Sequence, residues 1–149
     1  MTSVWTREDA SRIDPRPENR ISEITRPRRS DLHRDRVYWD MWPIQDRDGW
    51  IADCRGRELW MALTAPDRGD PSLRHFEAKI RLLERKPDGW TDLGDVLPDR
   101  AVPYEREWAG SAVTDGTTVS LYFTAAGTAE KPGGYQQALY ETHARMRED

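Results

Sequence analysis

Glu107-Trp108-Ala109-Gly110-Ser111-Ala112-Val113-Thr114, then Asp115-Gly116, then Thr118-Val119-Ser120-Leu121-Tyr122-Phe123-Thr124-Ala125 is the stretch whose reading decides the fold. Its second run is dense in β-branched and aromatic residues, which suit a pleated, half-buried surface. The Asp-Gly pair supplies the positive φ that a tight hairpin turn requires. The stretch is therefore read as two strands joined by a turn. Working outward, the same grammar recurs. Val37–Ile44 and Glu58–Thr64 read as strands, with Asp48-Gly49 turning the chain between them and Trp50–Ala52 as a short strand edge. Ala65–Ser72, with its prolines and glycine, reads as a loop. His75–Glu84 alternates Phe76, Ala78, Ile80 and Leu82 against Glu77, Lys79 and Arg81, the period of a strand. Pro87-Asp88-Gly89 turns the chain into Trp90–Gly94. Leu97–Arg106 is a loop, Gly127–Gly134 a flexible loop, and Tyr135–Arg145 a last strand or a terminal helix. Many short strands separated by turn signals indicate an all-β sandwich, barrel or propeller. The repeated unit, an inner strand, an Asp-Gly turn, an aromatic strand, a loop and an alternating strand, is how a four-stranded blade reads.

Composition bounds the function classes. The chain has 149 residues, 34% of them charged, and a formal charge of -4. Its mean hydropathy is -0.92. Seven tryptophans argue against disorder. The mild acidic balance gives no strong attraction to nucleic acid or to a membrane surface, so neither is expected as a partner. Positive charge is carried mostly by arginine, which suits bidentate ion pairs. One cysteine, Cys54, excludes an internal disulfide and a Cys-based zinc cluster, and reads as a free thiol in a loop. His33, His75 and His143 are scattered without ligand spacing, so no metal is expected. No phosphate-cradling glycine loop or nucleophile elbow occurs, and no cofactor is expected. Residues 1–36 read as an arm. Within it Thr6 and Asp9 form a variant capping box for a short helix, ended by Asp14-Pro15-Arg16-Pro17. The basic run Arg26-Pro27-Arg28-Arg29 is offset by acids and reads as solvated. The opening residues lack the apolar core of a secretory signal, so the expected location is the cytoplasm or an unconventional export route.

One carboxylate stands apart. In Val37-Tyr38-Trp39-Asp40-Met41-Trp42-Pro43-Ile44 a lone Asp40 lies between two tryptophans, whereas most other acids have polar neighbours. A charge among large aromatics is costly unless something pairs or uses it. Asp40 is thus the first candidate for chemistry. Trp39, Trp42 and Trp108 on pattern alone read as core. In a regular strand Trp39 and Asp40 face opposite sides, so both can line one pocket only if the chain bends there.

Three segments together resemble glycoside hydrolase family 68, the levansucrases, inulosucrases and related β-fructofuranosidases. They are Val4-Trp5-Thr6-Arg7-Glu8-Asp9-Ala10; Trp39-Asp40-Met41-Trp42-Pro43-Ile44; and Arg106-Glu107-Trp108-Ala109-Gly110-Ser111-Ala112 followed by Leu121-Tyr122-Phe123-Thr124. The resemblance implies part of a five-bladed β-propeller: about two blades over residues 37–149, preceded by the irregular, short-helical arm of residues 1–36. It implies sucrose or fructan-type sugars as ligands, Asp40 as the nucleophile of a retaining fructosyl transfer, and Trp39 and Trp108 in the pocket wall. A carboxylate suits that role because a retaining glycosidase forms and then hydrolyses a glycosyl ester. The tryptophans would exclude water around Asp40 and bind the apolar faces of a sugar. The family's Arg-Asp-Pro segment and its later acid/base glutamate have no match in these residues. Ala109 stands where some members have Ser. The expectation is thus a fructosyltransferase or sucrose-cleaving module, incomplete as a single chain; the alternative is a non-catalytic carbohydrate-binding module or a degenerate fragment. Two blades leave open sheet edges, which a second chain or self-association would cover.

Overall fold

The computed structural model describes residues 6–12, 32–128, 130 and 133–147. Helix α1 covers Arg7–Ser11. The Thr6 side chain accepts from the Asp9 N–H and the Asp9 carboxylate accepts from the Thr6 N–H, the reciprocal box expected from sequence. The expected stop at Asp14–Pro17 and the run Arg26–Arg29 lie outside the described residues.

Seven strands follow: β1 (Arg36–Gln45), β2 (Glu58–Pro66), β3 (Lys79–Lys86), β4 (Gly89–Asp95), β5 (Arg106–Thr114), β6 (Thr118–Ala126) and β7 (Gln137–Arg145). Their order in space is β4-β3-β2-β1-β5-β6-β7. β1 to β4 form one antiparallel meander, and β5 to β7 form a second. The two units meet at their first strands, which run parallel and pair only at Ile44–Ala112 and Gln45–Val113. Two meanders joined by a brief contact between their inner strands are two blades side by side. β4 and β7 are the end strands of this arrangement.

The core lies between the blades. Met61, Leu63 and Ile80 of the first unit, with Ile44, pack with Ala112, Val119, Leu121, Phe123 and Ala125 of the second. The alternation in β6 explains its half of this layer, because Val119, Leu121, Phe123 and Ala125 are buried while Ser120, Tyr122 and Thr124 are not. Burying each large side chain contributes about 1.5–3 kcal/mol. A polar pin crosses the same seam. Glu107 in β5 donates its N–H to the Ala78 carbonyl at 2.9 Å. Its carboxylate accepts from the Ile80 N–H at 2.6 Å and from Lys79 Nζ at 3.0 Å. Glu107 is 3% exposed. Burial pushes its carboxyl above the usual range, against the pull of the Ile80 N–H and the Lys79 ammonium.

One sequence expectation changes, and one open choice is settled in favour of a strand. His75 and Phe76 do not open a strand; they end a 3-10 helix, Pro71–Phe76, and β3 starts at Lys79. Asp70 caps that turn by accepting from the Ser72 N–H at 2.9 Å, with Pro71 at its first position. Residues 135–145 are not a helix, since β7 pairs with β6 along its whole length. Cys54 lies in a loop, as expected, but is buried, and burial raises its thiol pKa.

Candidate active site

The inner strand of each blade carries a β-bulge directly after a tryptophan. In β1, Trp39 pairs with Leu63 and Met41 with Ala62, so Asp40 is the extra residue. It adopts φ +46, a left-handed conformation that Asp tolerates better than most residues. The bulge is the bend that the sequence required if Trp39 and Asp40 are to share a pocket. In β5, Trp108 pairs with Thr124 and Gly110 with Phe123, leaving Ala109 as the extra residue. Only glycine fits at position 110, where a Cβ would lie 1.9 Å from the Tyr122 carbonyl oxygen.

The 3-10 helix links the two tryptophans. The His75 ring meets Trp39 edge-on with centroids 5.9 Å apart. The His75 carbonyl oxygen is 3.5 Å from Trp108 Nε1, a long hydrogen bond. The Arg74 guanidinium lies 5.0 Å from the Trp39 ring centroid, within cation–π range. Trp39 and Trp108 are both half-buried, and the indole N–H of Trp39 is buried without a partner among the described residues. Trp42 is half-buried against the core, in keeping with its core reading.

Asp40 itself departs from the expectation in one respect. It is exposed, so tryptophans do not desolvate it here. The bulge sets it off the β1–β2 ladder.

Sequence reasoning missed the second layer of this site. Arg106 is 1% exposed, and its guanidinium lies 5.4, 5.6 and 5.8 Å from the ring centroids of Phe76, Trp108 and Tyr135. It donates to the Gly134 carbonyl and contacts Glu105 Oε2 at 3.4 Å. No hydropathy pattern flags an arginine under aromatic rings. For His75 a signal existed: Asp70-Pro71 is a helix-start pair, and reading it would have placed Arg74, His75 and Phe76 on a turn instead of a strand.

Comparison with known proteins fits this arrangement. The profile of the glycoside hydrolase 68 family, described as levansucrase/invertase, matches residues 1–149. A levansucrase of Erwinia amylovora is 28% identical over 144 residues, covering 82% of this chain and 34% of its own. Among solved structures, an inulosucrase from Halalkalicoccus jeotgali bound to kestose superposes with a TM-score of 0.68 at 30% identity, covering 84% of this chain and 36% of its own. A levansucrase from Gluconacetobacter diazotrophicus superposes with a TM-score of 0.63 at 26% identity, covering 76% of this chain and 29% of its own. The chain thus spans about a third or less of the length of these relatives. Its two meanders are part of the five-bladed β-propeller of these neighbours. By its family profile, its fold and the order of its signature segments, this chain belongs to glycoside hydrolase family 68, the levansucrase/invertase family.

Proposed function

We propose that this chain is the nucleophile-bearing module of a sucrose-cleaving fructosyltransferase, with Asp40 attacking C2 of the fructosyl unit and Trp39 and Trp108 forming the wall around that sugar. The observation that carries this reading is the bulge at Asp40. It sets a carboxylate off the strand ladder directly after Trp39, on the inner strand of the first blade. The kestose bound by the Halalkalicoccus inulosucrase supports a fructose-containing ligand for the corresponding part of this chain.

The first half of the reaction follows from those residues. The Asp40 carboxylate attacks the anomeric carbon as the bond to the leaving glucosyl oxygen breaks, giving a fructosyl ester. The transition state carries positive charge on the ring, which an adjacent anion stabilises. The leaving oxygen must also be protonated, and water or an acceptor must later be deprotonated. A second carboxyl group performs both tasks in this mechanism. These residues hold no match to the family's acid/base segment, so full turnover draws that group from further blades, in a longer chain or from another one. Coverage of the end strands β4 and β7 would come from the same source, or from a second copy.

The test is incubation of the purified chain with sucrose. The reading expects saturable sucrose binding by calorimetry, weakened by Trp39→Ala and kept by Asp40→Asn, and no glucose release without an added acid/base. Glucose release that persists in Asp40→Asn would remove Asp40 from the nucleophile role. Absence of sucrose binding would remove the substrate class.

A further inference from the structure

The edge of the second blade points to a partner: we propose that two copies of this chain join through β7, the two strands pairing antiparallel about a two-fold axis at Thr142. The inference rests on the edge of the sheet and stands apart from the fructosyl-transfer reading.

The first blade has four strands and the second three. β3 has β4 as its outer neighbour, while its counterpart β7 has none among the described residues. An open strand edge presents a row of unpaired N–H and C=O groups that can template another strand. The end strand β4 is protected against this. A bulge interrupts its register at Leu82–Leu83, Gly94 turns to φ +112, and the Asp92 carboxylate points inward to Arg81 and Tyr38. A bulge and an inward-pointing charge are both devices that blunt an edge. β7 has neither. It keeps an unbroken register with β6 over Gln137–Arg145, without a proline or a glycine. Its outward charges, Glu141 and Arg145, oppose pairing with an arbitrary strand but complement a second β7.

The backbone phase of β7 follows from its two ends. The Gln136 carbonyl accepts from the Gly127 N–H at 3.0 Å, and the Met146 N–H donates to the Thr117 carbonyl at 2.8 Å. With no register shift between them, even-numbered residues bond to β6. The odd-numbered ones, Leu139, Glu141, His143 and Arg145, turn their N–H and C=O groups to the open edge. Two copies must therefore pair odd residues with odd residues. With Thr142 opposite Thr142, Glu141 lies opposite His143 of the second copy on both sides of the axis. Leu139 then lies opposite Arg145, whose aliphatic stem can cover it. Sliding by two residues one way sets Glu141 against Glu141, and the other way leaves only residues 141–145 of each strand paired. Opposite charges across a strand pair stabilise it and like charges destabilise it, so β7 selects its own copy and this register.

The pairing groups are already in position. Ser120 Oγ lies 2.9 Å from His143 Nδ1, and His143 Nε2 lies 3.4 Å from Glu141 Oε1 of the same chain. A ring held by Ser120 beside one carboxylate needs little reordering to take a second, which lowers the cost of association.

Sedimentation velocity of the full chain across a concentration series tests this. Wild type is expected to form a concentration-dependent dimer. His143→Glu sets two carboxylates opposite each other twice, and Glu141→Lys removes both carboxylates from His143. Each variant alone is expected to dimerise about tenfold more weakly or worse. An equimolar mixture of the two is expected to restore the dimer. The introduced lysine of one chain then faces the introduced glutamate of the other, while a native His143 still faces a native Glu141. Amide exchange gives a second readout, with the Leu139 and Glu141 amides protected in the wild-type dimer and fast in His143→Glu. A mixture that stays monomeric, or a wild-type dimer in which those amides remain fast, would overturn the pairing. A wild type that stays monomeric would also overturn it and leave the edge to a strand other than β7. None of these outcomes bears on sucrose binding or on Asp40.

Discussion

Gly110→Ala is the substitution that most sharply probes how the blade presents Trp108. A Cβ at this position would lie 1.9 Å from the Tyr122 carbonyl oxygen and 2.9 Å from Phe123 Cα, all backbone atoms of the paired strand. No side-chain rotamer can relieve such contacts, so β5 and β6 must separate at the bulge. Overpacking a well-fitted interior costs about 1–3 kcal/mol, and a clash with backbone belongs at or above the top of that range. About 3 kcal/mol is a large share of the roughly 5–15 kcal/mol that stabilises a domain. It corresponds to a fall in Tm of about 6–12 °C at this chain length. The control is Gly116→Ala. Gly116 has φ +90 but nothing within 4 Å of an added Cβ, so only backbone strain of about 1–2 kcal/mol applies. Urea unfolding followed by tryptophan fluorescence measures both. If Gly110→Ala costs no more than Gly116→Ala, the bulge after Trp108 is not built as described. The register that brings Trp108 beside His75 would then fall with it.

Two ionisable groups give opposite pH signatures. Asp92 accepts from Tyr38 Oη and from Arg81 Nε at 2.8 Å, and its side chain is only 3% exposed. Although burial opposes it, Tyr38, the Gly94 N–H and Arg81 together hold the Asp92 carboxyl below the usual range. The stability it contributes is therefore present above the ordinary carboxylate pKa and lost as pH falls through the depressed value. Asp92→Ala is expected to cost about 1–3 kcal/mol at neutral pH, because it removes the acceptor of Tyr38 Oη and of Arg81 Nε while Arg81 keeps Asp95, and the gap to wild type should narrow in acid. A gap that does not change with pH would contradict this. Glu107 behaves in the reverse sense. Its folded pKa is raised by burial, so its contribution is present below the ordinary glutamate pKa and declines as pH rises through the raised value. Denaturant titrations across that window should show the decline in wild type and not in Glu107→Gln; the same slope in both would refute it.

The blades were legible because their strands obey local rules. β6 alternates, Asp115 and Gly116 turn the chain, and the Asp115 carboxylate accepts from the Thr117 and Thr118 N–H groups at 2.8 Å, so each level agrees. Asp40 was conspicuous as a charge between tryptophans, and the bend it needed is present as a bulge. Its exposure was not legible, because two flanking tryptophans do not say which way a bulge turns the residue between them. The His75 turn was misread because Phe76, Ala78, Ile80 and Leu82 continue the strand period backwards across a helical turn. Periodicity cannot separate the two over so few residues. Arg106 and Tyr135 were invisible for another reason: their relation joins the start of β5 to the loop before β7, a long-range contact that no local pattern encodes.

The nucleophile assignment can be tested without the acid/base. With fructosyl fluoride as donor, fluoride leaves without protonation. Attack by Asp40 on C2 then needs only the carboxylate: one C–O bond forms, the C–F bond breaks, and fluoride departs with the electron pair. With no general base to activate water, the ester should persist. Intact mass spectrometry of the chain after incubation is expected to show one added fructosyl unit, mapping by peptide digestion to Asp40 and absent from Asp40→Asn. A chain that binds sucrose yet gains no adduct, or an adduct that survives Asp40→Asn, would contradict the account.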